Sequence, residues 1–404
     1  MVLLKRVTII LKSAGILCLT LIIILTASLY LQASIYSFKK PASFSGDSLY
    51  NPYENISGNW IKANFHAHSI AWGHLTNGHQ TPSEIENVYS KMGYQVACVS
   101  NYEDVVHSKN ANIKSLPVYE HGYNIFKTHQ LVFKPQKVSF FDLPFLQTTS
   151  MKQSVLKVLS DESACIALAH PLLKNGYTDQ ELKKLTGYNL LEVLNHSAES
   201  AKKWDVVLSS GKPVWCVGND DMHDAKNKSE VGVCWTMVNS SGNGDVIDQL
   251  KNGNAYGACG KNGVVENALR DLTVSGDTMR LLLAKNAEQI KLIGQNGVMK
   301  KVITNADSAK YVFKTNDTYI RAEIINKDGR LYLNPVIRYN GKQTPSNIST
   351  ASVNIIGTFF YRMSIILLCS GFLFLLYIKA AIRLLDKIKN IGLKSPPDYS
   401  CGTA

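Results

Sequence analysis

Two long apolar runs lie near the ends of the chain, and a body of alternating short elements lies between them. Ala14–Ala33 (AGILCLTLIIILTASLYLQA) holds no charged residue, and a bilayer crossing takes about 20 apolar residues. A transmembrane helix is therefore expected over 13–35. The rival is a cleaved signal peptide, whose apolar core spans ~7–15 residues before small residues; this run stays Leu/Ile-dense to Leu31 and reads as an uncleaved anchor. Val353–Ile378 is interrupted only by Arg362, whose stem can snorkel to an interface beside an aromatic belt of Phe359, Phe360 and Tyr361. A second transmembrane helix is expected over 352–378, since a buried soluble helix of this length seldom lacks a polar face.

In the body the period shortens. Trp60–Phe65 reads as a strand ending at His66. Thr81-Pro82-Ser83-Glu84 predicts a helix start, with Thr81 capping, Pro82 at the first helical position and Glu84 completing a capping box. Gly93 ends that helix, and strands are expected at Gln95–Ser100, Leu116–Tyr119, Gln130–Phe133, Ala164–Ala169, Leu190–Leu194 and Val214–Val217. Thr178-Asp179-Gln180-Glu181 is a second capping box, and a helix is expected from about Ala198 to Ser209, stopped by Gly211. Strands alternating with helices predict a parallel α/β arrangement, and this many repeats suit a barrel better than an open sheet. From about Arg270 the texture turns to strands alone: Leu272–Val274, Met279–Leu283, Gln289–Ile293, Tyr311–Phe313, Tyr319–Ile325 and Tyr332–Arg338. These predict a small antiparallel β module. The expected divisions are thus a short segment 1–12, the first span, an α/β domain over 42–265, a sandwich-like β module over 266–345, the second span, and a tail over 379–404.

Composition narrows the class. With 45% hydrophobic and 18% charged residues, the chain has the apolar content that disordered chains lack. The formal charge of +12 suggests nucleic acid until it is located: residues 36–350 carry only +5, and the rest belongs to the ends. No basic run exists in the body, so the counterion-release contribution that drives nucleic-acid binding is weak, and no nucleic-acid partner is expected. Lys5, Arg6 and Lys12 precede the first span, and Lys379, Arg383, Lys387, Lys389 and Lys394 follow the second. The positive-inside rule sends both flanks to the cytoplasm. The expected picture is a two-pass protein of the cytoplasmic (inner) membrane, with its body on the periplasmic side. Five cysteines fall in the body, four of them in apolar strand-like runs where a buried free thiol is the default; no CxxC pair exists.

The histidines gather where strands end. His66 and His68 are two apart on an extended chain and point to one side. His170 closes the Ala164–Ala169 strand, and Asp221 and His223 repeat the same spacing after Val214–Val217. Glu120 follows Leu116–Tyr119, His129 opens the next strand, and Glu192 lies inside Leu190–Leu194, where holding a neighbouring backbone or imidazole is its expected role. In a parallel barrel these ends converge on one face. Imidazole and carboxylate together suit zinc, manganese or iron, and so many donors suggest more than one ion. His79, His107, His121 and His196 read as solvated or supporting groups. No P-loop, dinucleotide fingerprint or HExxH is present, which excludes the common NTPase, dehydrogenase and zincin signatures.

Over about Asn59–Asp224 the pieces FHAHS, TPSEI, YEHG…H, LAHPL, LEVLN and GNDDMHD resemble the PHP (polymerase and histidinol phosphatase) superfamily of metal-dependent phosphoesterases. The resemblance implies a distorted (β/α)7 barrel and two or three divalent ions (Zn, Mn or Fe) at the strand ends, which activate a bridging hydroxide that attacks phosphorus. It implies His66, His68, Glu120, His129, His170, Asp221 and His223 as ligands. Some members close with a β module, to which RAEIINKDGRLYLNPVI is similar. Two positions depart. The usual Thr-Asp-His after the second strand is Ser100-Asn101-Tyr102 here, so a phenol replaces an imidazole. The usual Ser-Asp-Gly is Thr76-Asn77-Gly78, so Asn77 lacks a carboxylate; His74 is a possible substitute ligand. Candidates for the proton donor to the leaving group are Tyr102, His74 and His196. The leading expectation is a membrane-anchored phosphoesterase acting on a small phosphorylated metabolite or a cell-envelope phosphoester, with catalysis through His66, His68, Asp221 and His223. A PHP-like binding or scaffold module weakened at Asn101 and Tyr102 is the alternative, and a nuclease is third.

Overall fold

The computed structural model describes residues 2–392 except 55, 57–58, 109, 241–244, 343–344 and 346–350. It divides into a terminal unit (1–36 with 353–404) and a body, 37–352.

The terminal unit contains helix α1 (Val2–Gln32) and helix α7 (Ile355–Gly392). Both are long and apolar enough to cross a membrane, over Ile10–Gln32 and Ile355–Arg383. They run antiparallel: Asn354 N–H donates to Ile35 O (2.8 Å), Tyr361 Oη to Tyr30 O (3.0 Å), and the Thr20 and Tyr377 hydroxyls lie 3.2 Å apart. The helix of the second run continues to Gly392, so the first part of the expected tail is helical; 393–404 lie outside the described residues.

The body is mixed α/β. Its site-bearing strands are β1 (Trp60–Asn64), β2 (Val96–Ala97), β3 (Val118–His121), β4 (Gln130–Phe133), β5 (Cys165–Leu168), β6 (Leu190–Asn195) and β7 (Trp215–Asn219). Helices α2 (Pro82–Lys91), α3 (Thr149–Asp161), α4 (Asp179–Leu182) and α5 (Ala201–Ser209) fall between them. Both predicted capping boxes form: Thr81 with Glu84 and Thr178 with Glu181. One sheet runs β7-β6-β5-β4-β3, and β1 and β2 pair in the second sheet. A backbone bridge between Ala67 and Met222 brings the segment after β1 beside the segment after β7, so the strands curl into a half-barrel.

The pairing is not wholly parallel. β1–β2, β5–β6 and β6–β7 are parallel, but β3–β4 and β4–β5 are antiparallel. For β3–β4 the physical reason is connection length: His121 to Gln130 is too short a link for the crossover a parallel pair needs, about a dozen residues or more; the link from Phe133 to Cys165 carries α3 and is long enough for either direction. The stretch expected as one helix from Ala198 begins as strand, Ala198–Glu199 pairing with β6, before α5 starts at Ala201. The expected strand at Gln95–Ser100 contracts to β2.

Beyond these, β8 (Cys234–Asn239), helix α6 (Val246–Lys251), β9 (Ala255–Gly260), β10 (Leu269–Ser275), β11 (Thr278–Gly294), β12 (Val298–Val312), β13 (Tyr319–Asn326) and β14 (Gly329–Tyr339) follow. The second sheet has the order β10-β11-β13-β14-β9-β8-β1-β2. It therefore runs without a break across residues 265/266, and β9 pairs directly with β14. The expected strands Met279–Leu283 and Gln289–Ile293 are one long strand, β11, with a register shift between Leu282 and Ala287. Asp205 of α5 also holds Arg321 of β13 in a bidentate pair at 2.7 and 2.8 Å, both buried.

Candidate metal centre

Three of the site-bearing strands end on asparagine, and these side chains stitch the strand ends together. Asn64 closes β1: its Oδ1 accepts from Asp220 N–H (2.8 Å) and its Nδ2 donates to His66 O (3.1 Å). Asn219 closes β7: its Oδ1 accepts from Phe65 N–H (2.8 Å) and its Nδ2 donates to Glu192 Oε1 (2.9 Å). Asn195 closes β6 and donates to Glu192 Oε2 (3.0 Å) and Asp221 Oδ2 (3.2 Å). The chain after β1 then runs beside the chain after β7, with His68 N–H on Met222 O (2.7 Å) and Asp221 N–H on His66 O (2.9 Å). Extended backbone places His66 and His68 on one side, facing Asp221.

Seven donors converge there. Glu120 Oε1 lies 2.6 Å from His129 Nδ1 and 3.0 Å from His170 Nε2; its Oε2 is 3.1 Å from His68 Nε2 and 3.5 Å from His66 Nε2. Asp221 Oδ1 is 3.2 Å from both His66 Nε2 and His68 Nε2, and those two nitrogens are 3.2 Å apart. Four overlapping sets have ligand atoms within 4.8 Å of one another: His66/His170/Asp221, His66/His68/Glu120, His68/Asp221/His223 and Glu120/His129/His170. The residues present fit a divalent cation. Glu120 Oε2, Asp221 Oδ1, His68 Nδ1, His170 Nδ1 and His223 Nε2 are buried without a hydrogen-bond partner, although buried polar atoms are rarely left so. Two imidazole nitrogens aimed at each other and at two carboxylates are the donor set of a metal site. Two of these seven residues also sit in strained backbone: His170 (φ +28°) and Asp221 (φ +52°) lie in the left-handed region.

The electrostatics agree. Burial alone would lower His66, but Asp221, Glu192 and Glu120 outweigh it and raise it well above the ordinary imidazole value; His68 and His170 are also raised, against burial, by their carboxylate neighbours. Glu120 and Asp221 are driven far down, burial being overcome by the imidazoles. His223, beside the charged His68, falls to about 4 through burial and that repulsion. Without a cation the site must hold protons to balance its carboxylates; a bound ion takes their place.

Glu192 binds through neighbours: Oε1 holds His66 Nδ1 (3.0 Å) and Oε2 accepts from His170 N–H (2.8 Å), the arrangement that fixes a ligand's tautomer and orientation. All seven histidines and carboxylates singled out for metal belong to these four sets. His74 does not; it is exposed in the turn Trp72–His74. Tyr102 stacks on His68 (centroids 4.6 Å apart), and His223 also stacks on that imidazole (4.4 Å). Burial first, then Glu120 and Asp221, push the Tyr102 phenol far up, so it stays protonated. Asn101 is buried and turned to the backbone: its Oδ1 accepts from Ser69 N–H at 2.8 Å, fixing the chain after His68. His196 faces the Asp220 carbonyl (2.5 Å), His79 and His107 are exposed, and His121 is buried on Gln130 (2.8 Å). Sequence reasoning missed the asparagines; their signal was one Asn at the close of each of three strands. No family model and no curated protein matches this chain in sequence.

Proposed function

We propose that this chain is a membrane-anchored, metal-dependent phosphoesterase of PHP type. Its body faces the periplasm and acts on a small phosphorylated metabolite or a cell-envelope phosphoester. The observation that carries the reading is the convergence of His66, His68, Glu120, His129, His170, Asp221 and His223, with Glu120 Oε2 and Asp221 Oδ1 buried among them without a hydrogen-bond partner. His66, His68, Asp221, His223, Glu120, His129 and His170 would hold two ions, and a third position lacks the imidazole that the resemblance implies, because Tyr102 stands there. Such ions offset phosphate charge and bring water ionisation near neutral pH. The chain's own residues do the rest. Glu192 locks the His66 ring, and Asn101 fixes the turn after His68. Tyr102, neutral and stacked on His68, is placed to hydrogen-bond a phosphate or leaving-group oxygen. The test is hydrolysis of p-nitrophenyl phosphate by the full chain with added Mn²⁺ or Zn²⁺. Turnover that disappears in His66→Ala and Asp221→Ala supports the reading; stoichiometric metal without turnover on a broad phosphoester panel replaces it with a binding module.

A further inference from the structure

Loops that meet beside the metal centre expose large apolar side chains. Trp72, Leu75, Ile125, Phe126, Phe140 and Leu172 are each 41–88% exposed. They form one rim. Trp72 Nε1 donates to Tyr102 O (2.7 Å), and its ring meets Phe140 edge-on at 6.4 Å. Ile125 N–H donates to Pro144 O at 3.1 Å. The turn holding Leu172 starts from His170, whose carbonyl accepts from Leu173 N–H (2.8 Å). Gly176 packs so closely on the next loop that a Cβ there would stand 2.7 Å from Lys127 O.

Beside this rim lies a cavity of about 500 Å³, lined among others by Tyr102, Glu103, Ile125, Lys127, His129 and Lys174. His129 is one of the candidate ligands and Tyr102 stacks on another, His68, so the cavity adjoins the metal site. Both lysines sit in left-handed backbone (φ +59° and +47°), which non-glycine residues adopt rarely. Lys127 Nζ lies 5.7 Å from the Tyr102 ring centre. The acid in the wall, Glu103, is engaged by Gly122 N–H at 2.7 Å. Two lysines therefore line the cavity that adjoins the candidate metal site.

We propose that the substrate is an amphiphilic phosphoester, its phosphate held between the metal centre and Lys127 and Lys174 and its apolar chain lying across the Trp72–Phe140 rim. This rests on the phosphoesterase reading above. The charge pair fits a phosphate, and a large exposed apolar patch continuous with a polar pocket marks a ligand groove. A chain of this kind would come from the same bilayer that the two apolar helices suit.

Hydrolysis-inert alkylphosphonates separate this inference from turnover. With the full chain in nanodiscs, octylphosphonate should bind at least tenfold tighter than butylphosphonate, because each buried methylene is worth roughly three- to fourfold. Trp72→Ser with Phe140→Ser should erase most of that gap, with retained metal content showing that the site itself is intact. Lys127→Ala with Lys174→Ala should weaken both ligands. Equal affinities overturn the inference, as does a gap that survives undiminished in the rim variant, since the tail then partitions into the disc. Hydrolysis of p-nitrophenyl phosphate without chain-length dependence sinks this inference alone. Chain-length-dependent binding with no phosphoester cleaved sinks the phosphoesterase reading alone.

Discussion

Replacing Asp205 by alanine tests whether the strand-rich C-terminal part and the site-bearing strands melt as one body. Asp205 lies on α5 and takes Arg321 Nε and Nη2 at 2.7 and 2.8 Å; Tyr319 Oη donates to the same carboxylate at 3.1 Å. Arg321 is 2% exposed, its Nη1 already has no hydrogen-bond partner, and Glu323 is 4.0 Å away. Asp205→Ala thus strands a buried guanidinium, and removing one partner of a buried pair costs about 3–5 kcal/mol. For a unit of about 300 residues the unfolding entropy is ~0.6 kcal/mol per degree, so Tm should fall by ~5–8 °C. Arg321→Met added to Asp205→Ala removes the stranded charge and should restore part of the loss. The assay is calorimetry of the full chain. A single body transition moved by this amount supports the reasoning; a shift below about 1 °C, or a second transition affecting only the β-rich part, refutes it.

Three further outcomes follow from the charges. Mn²⁺ or Zn²⁺ binding should release protons near neutral pH and weaken as pH falls, because His66, His68 and His170 are raised and the ion must displace their protons; calorimetric titration in buffers of different ionisation enthalpy reads this directly, and zero release contradicts it. Burial lifts the Glu103 carboxyl to about 7 against the Gly122 hydrogen bond. The folded state then holds a proton that the unfolded state has lost between about pH 4.3 and 7, so stability falls as pH rises through that window. Relative to wild type, Glu103→Gln should gain roughly 3 kcal/mol on going from pH 4.3 to above 7, measured by urea denaturation. Alkaline phosphatase fused after Ala404 should be inactive, and an active fusion would reverse the proposed orientation.

Much of the site was legible because metal chemistry restricts residue types. Two imidazoles at i, i+2 after a strand, and an Asp and a His at the same spacing after another, leave few bland explanations once their strands lie side by side. The antiparallel β3–β4 and β4–β5 pairs were hidden because alternation of strands and helices does not encode direction; the short link from His121 to Gln130 does so for the first pair alone. Strand β12 was nearly invisible. Its sequence, VMKKVITNADSAKYV, is polar because it pairs only with β11 and stays largely exposed, so no buried face imposes a period. His74 drew attention as a spare imidazole, but nearness in sequence to His68 says nothing about where a turn points, and this one points outward. Asn64, Asn195 and Asn219 were passed over because an amide looks inert beside histidine, although buried amides are what brings Asp221 alongside His66.

Metal content tests the central claim most directly. The full chain, stripped with chelator, reloaded with Mn²⁺ or Zn²⁺ and freed of excess, should retain about two ions by elemental analysis. Glu120→Gln, which alters the one carboxylate touching His66, His68, His129 and His170, should retain fewer than one while keeping its circular dichroism spectrum. Wild-type protein that is folded yet holds no stoichiometric metal, or a Glu120→Gln chain that holds as much as wild type, would contradict the account.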